Sequence, residues 1–331
     1  MKKRVLIVVL LSVACSFGLW AAGAKEQAVM NWKVAGLNAP GAIETVAVQK
    51  FVDIVNEQMK GKMVMTLYPA GQLGDSKAIL EMLKAGEVEI HANTASWHTS
   101  FVPEWSILAF PYIIKDNDHL RRIQKSAWFK DLEAKYYREH GIKILANNGF
   151  RLPRHILHRT KGIITPEDIK GVKLRKADLK IYVKPWQDFG ADVTIIPWGE
   201  TAMALQTGLV SAMGAPAHLI YPQKFYVGAP HVTLTGHQRD TYDIFMGKIP
   251  WEKVTPDTQK ILMDAAEKAL AYYAGEMDGV WKDHQAKMKA EGVKFYEADL
   301  KAWQTKALAV AEQWEAAGEW RKGLFKMILE M

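Results

Sequence analysis

With 331 residues, 49% of them apolar, the chain has enough material for two domains or one large one with a substantial core. Lysine and arginine exceed the acids by seven, and by four once Lys2, Lys3 and Arg4 of an expected leader are set aside; this surplus is too mild and too evenly interleaved for a nucleic-acid binder. Cys15 is the single cysteine, so a chain cleaved near Ala24 can hold no disulfide, thiol nucleophile or cysteine metal site.

The first elements concern export. Three cationic groups precede an apolar run from Val5 to Trp20, and the small residues Ala21, Ala22, Gly23 and Ala24 follow. That is the layout of a secretory signal peptide over residues 1–24, and it predicts a soluble bacterial protein delivered to the periplasm. No later segment approaches the roughly 20 apolar residues of a membrane span. Ser-Val-Ala ahead of Cys15 leaves lipid anchoring at that cysteine as an alternative, although the Leu usual three places earlier is absent.

Residues 31–37 read as a strand, 42–60 as a helix with Ile43, Val46, Phe51, Ile54 and Val55 on one face, and 63–68 as a strand ended by Pro69. Asp75 or Ser76 caps the next helix, whose apolar face is Ile79, Leu80 and Leu83 and whose stop is Gly86. A short strand over 88–92 runs into Asn93 and Thr94. This alternation predicts an α/β domain with a largely parallel sheet, in which ligands meet the carboxyl ends of strands. Asn93, and Asn38 after the first strand, are therefore candidate ligand contacts. The apolar run 105–114 reads as a loop or short strand on the core, 118–139 as one helix and 142–147 as a strand.

From Asn148 the character changes. Residues 151–176 carry ten arginines, lysines and histidines against Glu167 and Asp168, which suits a small anionic ligand. His155 and His158 fall in an expected loop and need no role. A helical turn at 166–171, strands at 172–175 and 193–196, helices at 179–190 and from Gly199 or Glu200 to Gly208, and a strand at 209–213 form a second α/β unit. The region 230–247 has strand character and returns the chain to the first domain. Thr255 then caps, and Pro256 starts, a helix that meets no strong breaker before Gly292. Some 35 residues at 1.5 Å rise make it about 50 Å long, enough to cross two domains. Further helices are expected at 298–317 and 320–330.

Four blocks in fixed order carry a resemblance: YPAGQLGDSKAILEMLKAGEVEI, ILAFPY, TPEDIKGVKLR and GADVTIIPWGETAMALQTGLV. Together they resemble the solute-binding proteins of tripartite ATP-independent periplasmic (TRAP) transporters, the DctP-like family, over roughly residues 31–290. The resemblance implies a non-catalytic, two-domain periplasmic-binding-protein-like α/β fold with a cleft and a long helix across both domains. The expected divisions are 25–150 with about 235–270, 151–234 with about 285–331, and the long helix at about 256–291. It also implies an organic acid as ligand and the TRAP permease membrane subunits as partner; a monomer is the default for the class, no cofactor is expected, and the ten histidines show no metal-ligand spacing.

Residue by residue, the arginine ending the family's G-x-K-x-R strand clamps the ligand carboxylate, and Arg175 matches it. A rigid bidentate fork at a strand end suits that task. Arg154 fits the spacing of a second family arginine, with Arg151 as the competing match. Trp198 stands where relatives place an aromatic on the ligand; filling the interdomain core is its other reading. Trp97, the 103–105 segment and His237 are further candidates near the cleft, and Glu200 reads as structural. In ALQTGLVSAMGAP, Ala215 replaces an asparagine that in relatives hydrogen-bonds the ligand, which implies a small apolar wall and a ligand of less polar body. The alternatives are a binding protein serving a sensor or another transporter class, and a periplasmic enzyme. Against an enzyme, the chain has no G-x-S-x-G, H-E-x-x-H, Walker or G-x-G-x-x-G motif.

Overall fold

The strands of the chain alternate between two separate sheets. A computed structural model describes residues 29–331; the expected leader and Cys15 lie outside the described residues. Strands β1 (Met30–Gly36), β2 (Met63–Tyr68), β3 (Ile90–Thr94) and β4 (Ile142–Phe150) build a first sheet. Then β5 (Arg154–His158), β6 (Lys173–Lys176), β7 (Asp192–Ile195), β8 (Ala212–Pro216) and β9 (His231–Gln238) build a second. The chain returns as β10 (Thr241–Gly247) to the first sheet and ends its strands with β11 (Lys294–Glu297) in the second. The orders are β2-β1-β3-β10-β4 and β11-β9-β5-β8-β6-β7.

Both sheets are mixed, where a largely parallel arrangement was expected. The reason lies in the crossings. β5 runs against both β8 and β9, and β10 runs against both β3 and β4. Each is the strand on which the chain arrives from the other lobe. β10 is buried along its whole length, as a central strand covered on both faces should be.

Local chemistry sets most boundaries. Asp75 accepts the Ala78 N–H at 2.9 Å to start the helix Ser76–Ala85, and Gly86 ends it at φ +74°. The expected helix over 118–139 is two helices, Asn117–Lys125 and Ala127–His140. Ser126 divides them: it is extended, at ψ 154°, and its hydroxyl accepts the Phe129 N–H. The apolar run near 105 folds as 3₁₀ turns with Trp105, Ile107 and Phe110 buried. His155 and His158 lie on β5 rather than in a loop, and β11, parallel to β9, had no counterpart in the sequence reading.

The helix Pro256–Ala290 has 35 residues, capped by Thr255. Its first half buries Leu262, Ala266, Leu270 and Tyr273 in the core of the first lobe. Further along, Trp281 meets His155 of β5 and Met288 joins the second lobe's core. One helix therefore spans both lobes. The C-terminal helices Leu300–Ala316 and Leu324–Glu330 add a second tie. Trp314 and Trp320 set their edges against Phe110 of the first lobe at 5.3 and 5.4 Å. Trp303 packs on Trp186 and Phe189 of the second at 5.9 and 6.0 Å and donates Nε1–H to the Ile164 carbonyl. Trp303 is fully buried, so Trp303→Ala should lower unfolding free energy by about 3–5 kcal/mol. Urea titration checks this, and a loss under 1 kcal/mol would show that the tie is dispensable.

Candidate functional site

A cavity of about 240 Å³ lies between the lobes. Leu37 and Asn38 reach it from the end of β1, Asn93 and Thr94 from the end of β3, and Trp97 from the turn after β3. The second lobe contributes Arg154 at the start of β5, Arg175 on β6, Tyr182 on the following helix, Ile196 and Trp198 beyond β7, and Leu219. β5 runs antiparallel, so its first residue lies at the edge where β8 ends. The cavity thus sits where open α/β sheets place ligands.

Arg175 is almost fully buried. Its Nε–H donates to the Ile196 carbonyl at 2.8 Å, and its guanidinium carbon lies 5.6 Å from the Trp198 ring centre. Its Nη2 is buried and has no hydrogen-bond partner among the described residues. Arg154 donates Nη2–H to the Gly214 carbonyl at 2.6 Å and lies 5.5 Å from the Tyr182 ring centre. Neither guanidinium meets a carboxylate among the described residues. Burial, joined by the charge of Arg154, pulls Arg175 down to about 9, so it remains a cation at neutral pH. Burial lowers Arg154 as well.

Arg151 also lines the cavity, but its charge is answered. Glu44, fully buried on the helix Ile43–Gln58, accepts from Arg151 Nη2 at 3.3 Å, from His218 Nε2 at 2.7 Å and from the Tyr273 hydroxyl at 3.4 Å. Burial alone would raise the Glu44 carboxyl, yet His218 and Arg151 hold it below its ordinary value. This node joins the first lobe, the turn after β8 and the long helix. Of the two competing arginines, Arg151 is paired and Arg154 is not.

Lys176 and His237 stand beside the clamp without lining the cavity. The Lys176 ammonium lies 3.7 Å from the Trp186 ring centre, and burial, then Arg154 and Arg175, push it well below its ordinary value. A Cβ at position 214 would lie 3.1 Å from His237 Nε2 and 3.5 Å from Lys176 Nζ, so Gly214 leaves room for both.

The structure brings Arg175, Arg154, Arg151, Trp198, Asn38 and Asn93 together around the cavity and leaves out Ala215. Side chains alternate along β8. Position 214 faces Lys176 and His237, while Met213 and Ala215 point to the other side, into the apolar cluster of Leu157, Val232 and Met288. The small apolar wall inferred at Ala215 is therefore core packing. Trp105 likewise belongs to an aromatic core with His98, Phe129 and Tyr136, whereas Trp97 does line the cavity. The sequence reading missed Tyr182 and Ser76, which have no local signature, and the Lys77–Asp178 ion pair across the mouth at 3.2 Å, whose partners are 101 residues apart.

Two lobes, a long helix across both and a cleft with uncommitted arginines define a ligand-binding receptor of the periplasmic-binding-protein type. More narrowly, the chain belongs to the bacterial extracellular solute-binding proteins of family 7, the DctP-like receptors of TRAP transporters, whose family model matches residues 34–317. The ectoine-binding periplasmic protein TeaA of Halomonas elongata is 25% identical over 87% of this chain and 86% of its own length. The 2,3-diketo-L-gulonate-binding periplasmic protein YiaO of Escherichia coli is 24% identical over 69% of each chain. A TRAP periplasmic solute-binding protein of Actinobacillus succinogenes, solved with L-galactonate, superposes with a TM-score of 0.85 at 27% identity, covering 91% of this chain and 98% of that one. Among the described residues no helix is long and apolar enough to cross a membrane.

Two predictions follow from this geometry. Ala215→Asn would bury an amide in an apolar cluster; we expect a loss of about 1–3 kcal/mol in urea unfolding with unchanged ranking of bound acids. A changed ranking would return position 215 to the ligand shell. The second concerns pH. Burial holds His91 and His155 down to about 4, against 6.5 for a free imidazole, and depresses His218 and His237 too. Between those values the unfolded chain binds more protons than the folded one, so stability present above pH 6.5 is lost as pH falls toward 4. The histidines' share of the loss over that window is on the order of a few kcal/mol, offset in part by Glu133 and Asp243, which burial holds above the ordinary carboxyl value. Equal urea midpoints at pH 7 and pH 4.5 would refute it.

Proposed function

We propose that the protein is a periplasmic receptor, not an enzyme, that holds an organic acid by its carboxylate between the lobes and delivers it to a TRAP-type membrane permease. The observation that carries the reading is Arg175 Nη2, buried in the cleft wall with no partner among the described residues, with Arg154, whose side chain bonds only a backbone carbonyl, lining the same cavity. Buried cations are tolerable when paired and hydrogen-bonded. A carboxylate meets this need with two coplanar acceptors for the guanidinium fork.

The chain's residues divide the work. The Ile196 carbonyl holds the Arg175 Nε, which directs the free edge of the fork. Trp198, braced edge-on against Phe225 at 4.9 Å, limits its swing. The Gly214 carbonyl holds Arg154 in the same way. Asn93 is fixed by Ser76 and His91, so the first lobe presents a preformed wall to the solute. The family membership and the relatives named as binding proteins support transport over catalysis.

Arg175→Met tests the assignment. We expect affinity for a bound acid to fall by at least about 2–3 kcal/mol, since one partner of a buried charge pair is removed. Removing an unpaired buried cation should not lower, and can raise, the melting temperature of solute-free protein. Titration calorimetry and thermal unfolding read the two effects separately. Affinity unchanged within about twofold would overturn the clamp.

A further inference from the structure

The polar groups that line the cavity are, apart from the arginines, mostly committed to the protein itself. The Asn93 amide directs its two hydrogens to Ser76 Oγ at 3.0 Å and His91 Nε2 at 3.2 Å, and its oxygen accepts the Thr94 N–H at 2.8 Å. His91 accepts there because its Nδ1–H is held by the Ala35 carbonyl. The Thr94 hydroxyl donates to Asp240, and the Tyr242 hydroxyl donates to the Ala92 carbonyl at 2.9 Å. What remains is small: the Ser76 and Tyr182 hydroxyl protons, part of the Asn38 amide, Arg151 Nε and Trp198 Nε1. Much of the other surface is apolar or aromatic, from Leu37, Trp97, Tyr182, Ile196, Trp198 and Leu219.

Charge is distributed just as unevenly. Arg154 and Arg175 are the uncommitted cations, while Arg151 is matched by Glu44 and Lys77 by Asp178. The acids that line the cavity, Asp75 and Asp178, are both exposed. A second carboxylate on the solute would have to share these two neighbouring cations with the first, and elsewhere in the lining would meet the acids instead.

Taking the carboxylate-receptor reading as its basis, we infer that the cleft selects a monocarboxylate with an apolar, aromatic or branched body, and discriminates against sugar acids and dicarboxylates. A sugar acid carries a hydroxyl on nearly every carbon. Each would lose water in the cleft, and few uncommitted partners could replace it, which is the costly direction of hydrogen-bond specificity. An aromatic acid leaves only ring surface to be covered by Trp97, Tyr182 and Trp198.

The experiment uses the full mature chain, unfolded in guanidinium and refolded to strip bound solute. Calorimetric titration then compares phenylacetate, 4-hydroxybenzoate and 4-methylpentanoate with L-galactonate, D-glucuronate and succinate. The expected result is that at least one of the first three binds about tenfold or more tighter than any of the last three. It is also expected to lose affinity in Trp198→Ala, with folding checked by circular dichroism. If L-galactonate, D-glucuronate or succinate binds tightest, the inference is overturned and the carboxylate receptor stands. If all six fail to bind to refolded protein with native circular dichroism, the receptor reading falls and takes the inference with it.

Discussion

Two buried guanidinium groups without a carboxylate between them are the constraint on which the cleft depends. A fold does not ordinarily gather cations away from water, because desolvation costs more than a weak field returns. Here Arg154 and Arg175 are each tethered by one backbone carbonyl and covered by one aromatic ring, which fixes direction without cancelling charge. The free energy left unsatisfied in the protein is available to an anion. Specific recognition then rests on a small set of rigid parts.

The contrast between Arg151 and Arg154 shows how little sequence distance matters beside pairing. Three residues apart, both reach the cavity. One is drawn into a node with Glu44, which His218 and Tyr273 complete from the second lobe and the long helix. That node is buried and joins three parts of the chain, so it also fixes how the lobes meet. The arginine left over becomes chemically available.

Much of this was legible in the chain. The strand-end logic put Asn38 and Asn93 at the cavity because a strand's carboxyl end is a local property, readable from where an apolar run stops, while Arg175 came from the family resemblance. The cap at Thr255 and the lack of breakers after it foretold the long helix for the same reason. Other features depend on partners far off in sequence. The direction of β5 and β10 follows from lobe crossings, and the break at Ser126 from one hydroxyl choosing a cap over a helix interior. Ala215 failed on parity: the motif aligned it with a ligand contact, while the pleat of β8 turns it into the core. The committed state of Asn93 was equally hidden, since its partners Ser76 and His91 become neighbours only when the sheet forms.

The Lys77–Asp178 contact is the exposed counterpart of the buried pairing below it. Its two side chains are 73% and 55% exposed and join the lobes across the mouth. An exposed pair contributes at most about 1 kcal/mol and weakens as salt rises. It can act as a clasp but not as a lock, since that energy corresponds to no more than about a fivefold change in any equilibrium it biases. What this pair adds at the mouth is therefore small and set by the salt around it, unlike the buried contacts beneath.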